Sequence, residues 1–307
     1  MKPTDFHVAM HVDSPLLNEL VLAWAITWLD VVRDDSDWEI LQRSVAQKQN
    51  SFASYLFPQM ERHRLISIAN LFFCLFMVDD LLDILEEKNE DYFLKFLSAE
   101  ELALDKTEMS TIGFPIDRCY IKVMENYADK GWKAGFESVW DNYIAGLRWE
   151  RQNKRENRSP SLDEYRRMRP HSSGAYIAIH LLRGEYGRQA DGSGELEEAI
   201  ARYIYLANDL VSSVKEQAIG DNHNEVLLLA GDHGMKAGKK LVEGELLGLR
   251  QNIRDLGDAI SKKSPEGARW VEGLFLLLGG CLFWSQESMR YRDGKLGVST
   301  NKFPKGR

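Results

Sequence analysis

Between Asn70 and Asp83 an almost unbroken apolar run, Leu71-Phe72-Phe73-Cys74-Leu75-Phe76-Met77-Val78, turns abruptly acidic at Asp79-Asp80-Leu81-Leu82-Asp83. No Gly or Pro interrupts it. A run that is apolar on every side predicts a helix buried in the middle of a helical protein. On a helical wheel Phe72, Phe76, Asp79 and Asp83 fall within about 60° of one another, with Asp80 on the shoulder. One stripe therefore carries two rings and then, a turn later, two carboxylates. Acids near the negative end of a helix repel its dipole and each other, at roughly a few tenths of a kcal/mol or more per contact. A cation shared between them removes the conflict.

A second stretch, Asn208-Asp209-Leu210-Val211-Ser212-Ser213-Val214-Lys215-Glu216, follows the helical pattern of Ile200, Tyr203, Ile204 and Leu206. At 100° per residue Ser212 lies about 40° and Glu216 about 80° round from Asn208, and Lys215 about 20° to the other side. An amide oxygen, a hydroxyl, a carboxylate and an ammonium thus share one face. The three oxygens suit a hard divalent cation such as Mg2+, and the lysine suits a phosphate beside it. A solvated polar face with a Lys–Glu contact accounts for the same residues equally well, because polar faces are common on helices.

Two further pieces change the balance. Arg169 sits in Tyr165-Arg-Arg-Met-Arg169-Pro-His-Ser-Ser-Gly174, and Arg290-Tyr291 lies near the C-terminus. In this order the four motifs resemble the class I terpene synthases, over a span from about Phe52 to Tyr291. The resemblance implies an all-α, single-domain class I terpenoid synthase bundle (residues 1–307, with a flexible tail from about 292) around a central active-site cavity.

The resemblance also implies roles. Asp79 and Asp83, with Asp80 beside them, and the set Asn208, Ser212 and Glu216 would hold about three Mg2+ ions. Arg169, Lys215, Arg290 and Tyr291 would contact the diphosphate of a prenyl substrate. Ser172 and Ser173 would be the linker and the effector of a helix break beside Arg169, with Gly174 competing for the effector place. Phe72, Phe76 and Trp284 are candidates to stabilise moving positive charge, an attraction on the order of 2 kcal/mol when water is excluded. Two arguments disagree over the last of these. Family spacing before the Arg-Tyr pair selects Trp284, whereas the wheel puts Phe283 about 20° and Trp284 about 120° from Arg290. The larger ring of Trp284 is preferred here.

The activity implied is Mg2+-dependent ionisation of a C15, C20 or pre-cyclised C20 prenyl diphosphate, with cyclisation or rearrangement to a hydrocarbon or alcohol. Two alternatives stay open. Prenyl chain-elongating synthases use two aspartate-rich motifs, of which this chain has one. A non-catalytic helical binding protein with a degenerate site is the other.

Composition narrows the partners. The chain has 307 residues, 28% of them charged, and a net charge of −8. No basic block exceeds the pairs Lys154-Arg155 and Arg166-Arg167, which argues against nucleic acid. Cys74, Cys119 and Cys281 have no zinc spacing and read as buried thiols of a reducing compartment. The N-terminus carries no signal or transit pattern. The uninterrupted apolar runs, Leu71 to Val78 and Gly273 to Trp284, are too short to span a bilayer. The expectation is a cytoplasmic protein without stable membrane insertion, and a homodimer is compatible with it.

Along the chain, Pro15 to Val32 predicts a first helix packed on most sides (Leu16, Leu17, Leu20, Val21, Trp24, Trp28). The helix bearing the aspartates begins near Glu61, after a break at Pro58. A short helix is expected over Tyr92 to Leu97, and one long helix from Pro115 through Trp132, Trp140 and Trp149. Ser161-Leu-Asp-Glu164 reads as a capping box. The helix it starts is expected to break between Pro170 and Gly174. Further helices are expected over Ala175 to Leu182, Glu195 to Ala218, from Asn224, Gly234 to Leu256 and Pro265 to Tyr291, and a surface loop over Gly187 to Gly194. No strand series or internal repeat is visible.

Overall fold

The computed structural model describes residues 6–29, 42–82, 94–95, 97–102, 116–186 and 193–288. Every regular element among them is helical: α1 (Ser14–Leu29), α2 (Phe52–Leu56) after a 3-10 turn, α3 (Arg62–Leu82), α4 (Ala99–Leu102), α5 (Ile116–Glu125), α6 (Lys130–Arg155), α7 (Leu162–Ser172), α8 (Ala175–Tyr186), α9 (Ser193–Ile219), α10 (Glu225–Ala230), α11 (Met235–Ser261) and α12 (Pro265–Glu287). The all-α expectation holds. The short helix expected at residues 92–97, the loop at 187–192 and the tail from 292 lie outside the described residues in whole or in part.

Helix α3 behaves as its composition requires. Thirteen of its 21 residues are buried, on every side rather than in one stripe. Helices α1, α2 and α5 pack around it. Each fully buried Leu or Phe there contributes about 1.5–3 kcal/mol. Helix α12 is similarly apolar and packs against α2, α8, α9 and α11. By length and composition alone, Arg62–Leu82 and Pro265–Glu287 are both long enough to cross a bilayer, contrary to the expectation from their shorter uninterrupted runs. Buried residues make up 72% and 67% of their most apolar stretches, so the fold itself covers them.

Two local expectations need correction. The first helix buries Leu17, Val21 and Ala25, while Leu16 and Leu20 are 42% and 39% exposed. It is an apolar helix with one face buried and the other exposed, rather than a core helix. The long helix from Pro115 is two helices, because Asp129 Oδ1 accepts the Trp132 N–H at 2.6 Å and starts a new one. The aromatic stripe that suggested continuity belongs mainly to α6. The helix break falls within the expected Pro170 to Gly174 stretch, at Ser173 and Gly174, with Pro170 still inside α7 two residues before its end. Gly174 adopts φ +72°, the left-handed conformation that a glycine accepts without strain.

Helix starts follow their caps. Ser161 Oγ accepts the Glu164 N–H at 3.2 Å at the head of α7. Ser264 Oγ does the same for Gly267 at 3.0 Å at the head of α12, with Pro265 in the first turn. Cys74, Cys119 and Cys281 are all buried free thiols.

Candidate active site

Helices α2, α3, α6, α9 and α12 and the α7–α8 junction enclose a cavity of about 250 Å3. Along α3 its lining passes from Phe72 and Phe76 to Asp79 and Asp80. Along α9 it passes from Ile204 and Tyr205 to Asn208, Ser212, Lys215 and Glu216. Arg169, Ser172, Ser173 and Gly174 line it from the helix break, and Trp284 from α12. Thirteen residues singled out by sequence therefore share one cavity: Phe72, Phe76, Asp79, Asp80, Arg169, Ser172, Ser173, Gly174, Asn208, Ser212, Lys215, Glu216 and Trp284. Asp83, Arg290 and Tyr291 lie outside the described residues.

The α9 face is tightly organised. Ser212 Oγ donates to the Asn208 carbonyl at 2.9 Å. Ser212 Oγ and Glu216 Oε2 both lie within reach of one atom, Asn224 Nδ2, at 3.3 and 2.6 Å. The two oxygens therefore converge. Burial pushes the Glu216 carboxyl up to about 7, with the charge of Asp209 adding to the effect. Among the described residues no group of three or more His, Cys, Asp or Glu side chains is placed to hold a metal. A donor set for a cation has to include amide and hydroxyl oxygens, as Asn208 and Ser212 provide. The converging Ser212 hydroxyl and Glu216 carboxylate oxygens, with the Asn208 amide on the same cavity wall, fit a hard divalent cation.

Asp209 points away from the cavity and is fully buried. Its carboxylate accepts the Tyr165 hydroxyl at 2.7 Å and the Glu225 N–H at 2.9 Å through Oδ2, and Arg169 through Oδ1 at 3.3 and 3.4 Å. Burial lifts the Asp209 pKa, and the Arg169 guanidinium and the Glu225 N–H oppose that rise. Burial also works against charge on Arg169. Its pKa nevertheless stands well above the usual arginine value, because Tyr165, Asp209, Glu150 and Glu216 surround it. Arg169 Nη2 also donates to Asn208 Oδ1 at 3.2 Å. Asp209 is thus the backstop that holds the guanidinium over the α9 face.

The helix break distinguishes the two effector candidates by hydrogen bonding. The Gly174 carbonyl accepts the Ala178 N–H at 3.2 Å. Among the described residues no hydrogen bond reaches the Ser173 carbonyl. The Ser173 hydroxyl donates to the Pro170 carbonyl at 3.0 Å and accepts the Ala175 N–H at 3.3 Å, which ties the two helix ends together.

The aromatic wall centres on a residue that sequence reasoning missed. Phe52, on the short helix α2, lies 5.2 Å from Phe72, 5.1 Å from Phe76 and 4.7 Å from Trp284, edge-on to each. Phe76 stacks on Trp284 at 5.2 Å. The Trp284 Nε1–H donates to the Lys48 carbonyl at 2.8 Å, which fixes the plane of the indole. Phe283 instead packs on Tyr55, 5.4 Å away. A five-residue helix has no periodicity to reveal Phe52 as a lining residue. Glu150 and Lys154 also line the cavity and were missed, since a Lys–Glu pair on a charged helix end reads as solvated.

An all-α bundle with a cavity that joins acidic helix ends to stacked rings defines a class of helical cation-handling sites, and the comparisons name the family. The family model described as "Terpene synthase family 2, C-terminal metal binding" matches residues 70–239, more than half of the chain. The chain belongs to this terpene synthase family. It is 24% identical over 186 residues to pristinol synthase of Streptomyces pristinaespiralis, a match covering 54% of this chain and 50% of that one. In that match the chain spans about half the length of the relative. The match to 4-epi-cubebol synthase ((2E,6E)-farnesyl diphosphate cyclizing) of Streptosporangium roseum is fuller: 22% identity over 293 residues, 87% of this chain and 86% of the other. The solved structure of a single-residue variant of cucumene synthase shares the fold with a TM-score of 0.76 at 18% identity, over 94% of this chain and 99% of that one.

Proposed function

We propose that the chain is a class I terpene synthase, one domain over residues 1–307, that ionises a C15 prenyl diphosphate and cyclises or rearranges the carbocation to a hydrocarbon or alcohol. The observation that carries this is one cavity lined by Asp79, Asp80, Asn208, Ser212 and Glu216 and also by the Phe52–Phe76–Trp284 cluster. Asp79 on one wall, joined in this reading by Asp83, and Asn208, Ser212 and Glu216 on the other would hold about three Mg2+, which would supply the Lewis acidity that neutralises a leaving diphosphate.

The chain's own residues do the rest. Arg169 offers a planar fork, and Lys215 a point charge, to the diphosphate oxygens. Arg290 and Tyr291 join them in this reading. Asp209 keeps the Arg169 guanidinium charged and aimed. We assign the Ser173 carbonyl, which no donor among the described residues occupies, to face the nascent cation. The rings of Phe52, Phe76 and Trp284 exclude water and offer π-faces and edges to migrating positive charge.

One observation supports C15 over C20: the 4-epi-cubebol synthase relative is named for cyclising farnesyl diphosphate. The amide and hydroxyl on α9, where an elongating enzyme carries a second aspartate set, support cyclisation over chain extension. The test is incubation with farnesyl and geranylgeranyl diphosphate, with and without Mg2+, and mass spectrometry of the organic extract. A C15 product that disappears with a chelator is expected. Failure to consume any prenyl diphosphate would sink the proposal.

A further inference from the structure

We propose that Asn224 is the positioning residue of the α9 face: a single amide outside the Asn208–Glu216 motif sets the spacing of two of its three oxygens before a cation arrives. This rests on the assignment of that face to metal.

Asn224 is fully buried at the head of α10. Its Nδ2 donates to Glu216 Oε2 at 2.6 Å, to Ser212 Oγ at 3.3 Å and to the Asp209 carbonyl at 2.7 Å. An NH2 group has two hydrogens, so three acceptors share them and the nitrogen sits where the oxygens converge. The other half of the amide is pinned as well. Oδ1 accepts the N–H groups of Val226 and Leu227 at 2.8 and 3.4 Å, as the cap of α10. The amide cannot turn without uncapping the helix.

Helix α10 is itself clamped to α9, since the Glu225 N–H donates to Asp209 Oδ2 at 2.9 Å. A rigid chain of contacts thus runs from the middle of α9, through the first turn of α10, back to the face. The choice of a neutral amide matters. A lysine would hold Glu216 as firmly but would cancel the charge a cation needs. Ser212 spends its proton on the Asn208 carbonyl at 2.9 Å and accepts from Asn224. A hydroxyl oxygen has two lone pairs, so one stays free. Holding a long carboxylate side chain in one rotamer removes an entropy cost that the cation would otherwise bear.

Asn224→Ser separates positioning from capping. Serine caps a helix about as well as asparagine but is too short to reach Glu216. Mn2+ binding is titrated by electron paramagnetic resonance in the presence of inorganic pyrophosphate, beside the Mg2+ dependence of turnover and thermal unfolding. Wild type, Asn224→Ser, Ser212→Ala and Glu216→Gln are compared. The expected result is a 10- to 100-fold weaker metal affinity in Asn224→Ser, a small change in melting temperature, and recovery of most of kcat at saturating Mg2+. If the serine variant does not fold, Asn224→Thr, which fills more of the vacated space, takes its place. Wild-type metal affinity in the Asn224 variant, with weakened affinity in Glu216→Gln and Ser212→Ala, overturns the role of Asn224 alone. Wild-type affinity in all three overturns the metal assignment with it.

Discussion

Gly146 on α6 separates the position of the helix break from its chemistry. A Cβ added there would sit 2.7 Å from the Ser172 nitrogen, 3.0 Å from its Cα and 3.1 Å from its Cβ. Ordinary contact begins near 3.4 Å, so α6 and the break must part by about 3.4 − 2.7 = 0.7 Å. The obstacle is backbone, so no side-chain rotation relieves it. Overpacking of this kind costs about 1–3 kcal/mol, and a misplacement on the order of 1 Å costs roughly 100-fold in rate. Gly146→Ala is expected to fold, to unfold at a lower denaturant concentration, and to lose one to two orders of magnitude in kcat with a much smaller change in KM. Diphosphate release under steady state measures both. Gly244→Ala is the control, because a Cβ at Gly244 on α11 meets nothing within 4 Å. It is expected to keep full turnover and to gain up to about 1 kcal/mol of stability. A Gly146→Ala enzyme with wild-type kcat refutes the idea that this contact sets the break.

Asp79→Ala is expected to keep the fold, since Asp79 is exposed on the cavity wall, and to lose nearly all turnover; full activity in a product assay removes Asp79 from the site. Asn208→Ala, Ser212→Ala and Glu216→Gln are each expected to raise the Mg2+ concentration for half-maximal rate, with excess metal rescuing the milder ones. Trp284→Leu is expected to shift the product mixture towards earlier-quenched species while diphosphate release continues, and Phe283→Leu to affect stability alone; gas chromatography of both extracts decides between them. His180 predicts a pH effect on stability. Burial lowers its pKa to about 4, below the unfolded value near 6.5. Its contribution is therefore complete above pH 6.5 and declines as pH falls towards 4, by up to about 3 kcal/mol. Denaturant midpoints between pH 7 and 4.5 are expected to fall less steeply for His180→Gln than for wild type.

Sequence made the chemistry more visible than the packing. Helix α3 was legible because an all-round apolar run has one stable home, and its abrupt acids then demand a purpose. The α9 face was legible because a 100° rotation per residue places Asn208, Ser212 and Glu216 without knowledge of any neighbour. Asn224 was readable only as a helix start, since its reach across to Glu216 is a tertiary fact. Phe52 was invisible for the same reason. The α5–α6 division was missed because aromatic residues at helical spacing outweighed a single cap at Asp129. Leu16 and Leu20 looked like core, yet one face of an apolar surface helix remains outside when nothing packs over it. The break expected over Pro170 to Gly174 falls at the far end of that stretch, because a proline near a helix end costs only one hydrogen bond and stays inside α7.

The direct test of the central claim is anomalous diffraction from crystals grown with Mn2+ and inorganic pyrophosphate. The account predicts one manganese peak bonded at about 2–2.3 Å to side-chain oxygens of Asn208, Ser212 and Glu216. It predicts two further peaks at the Asp79 wall, with pyrophosphate bridging the two walls and Arg169 turned from Asn208 onto it. Manganese bound elsewhere, or pyrophosphate bound without metal on the α9 face, would contradict it.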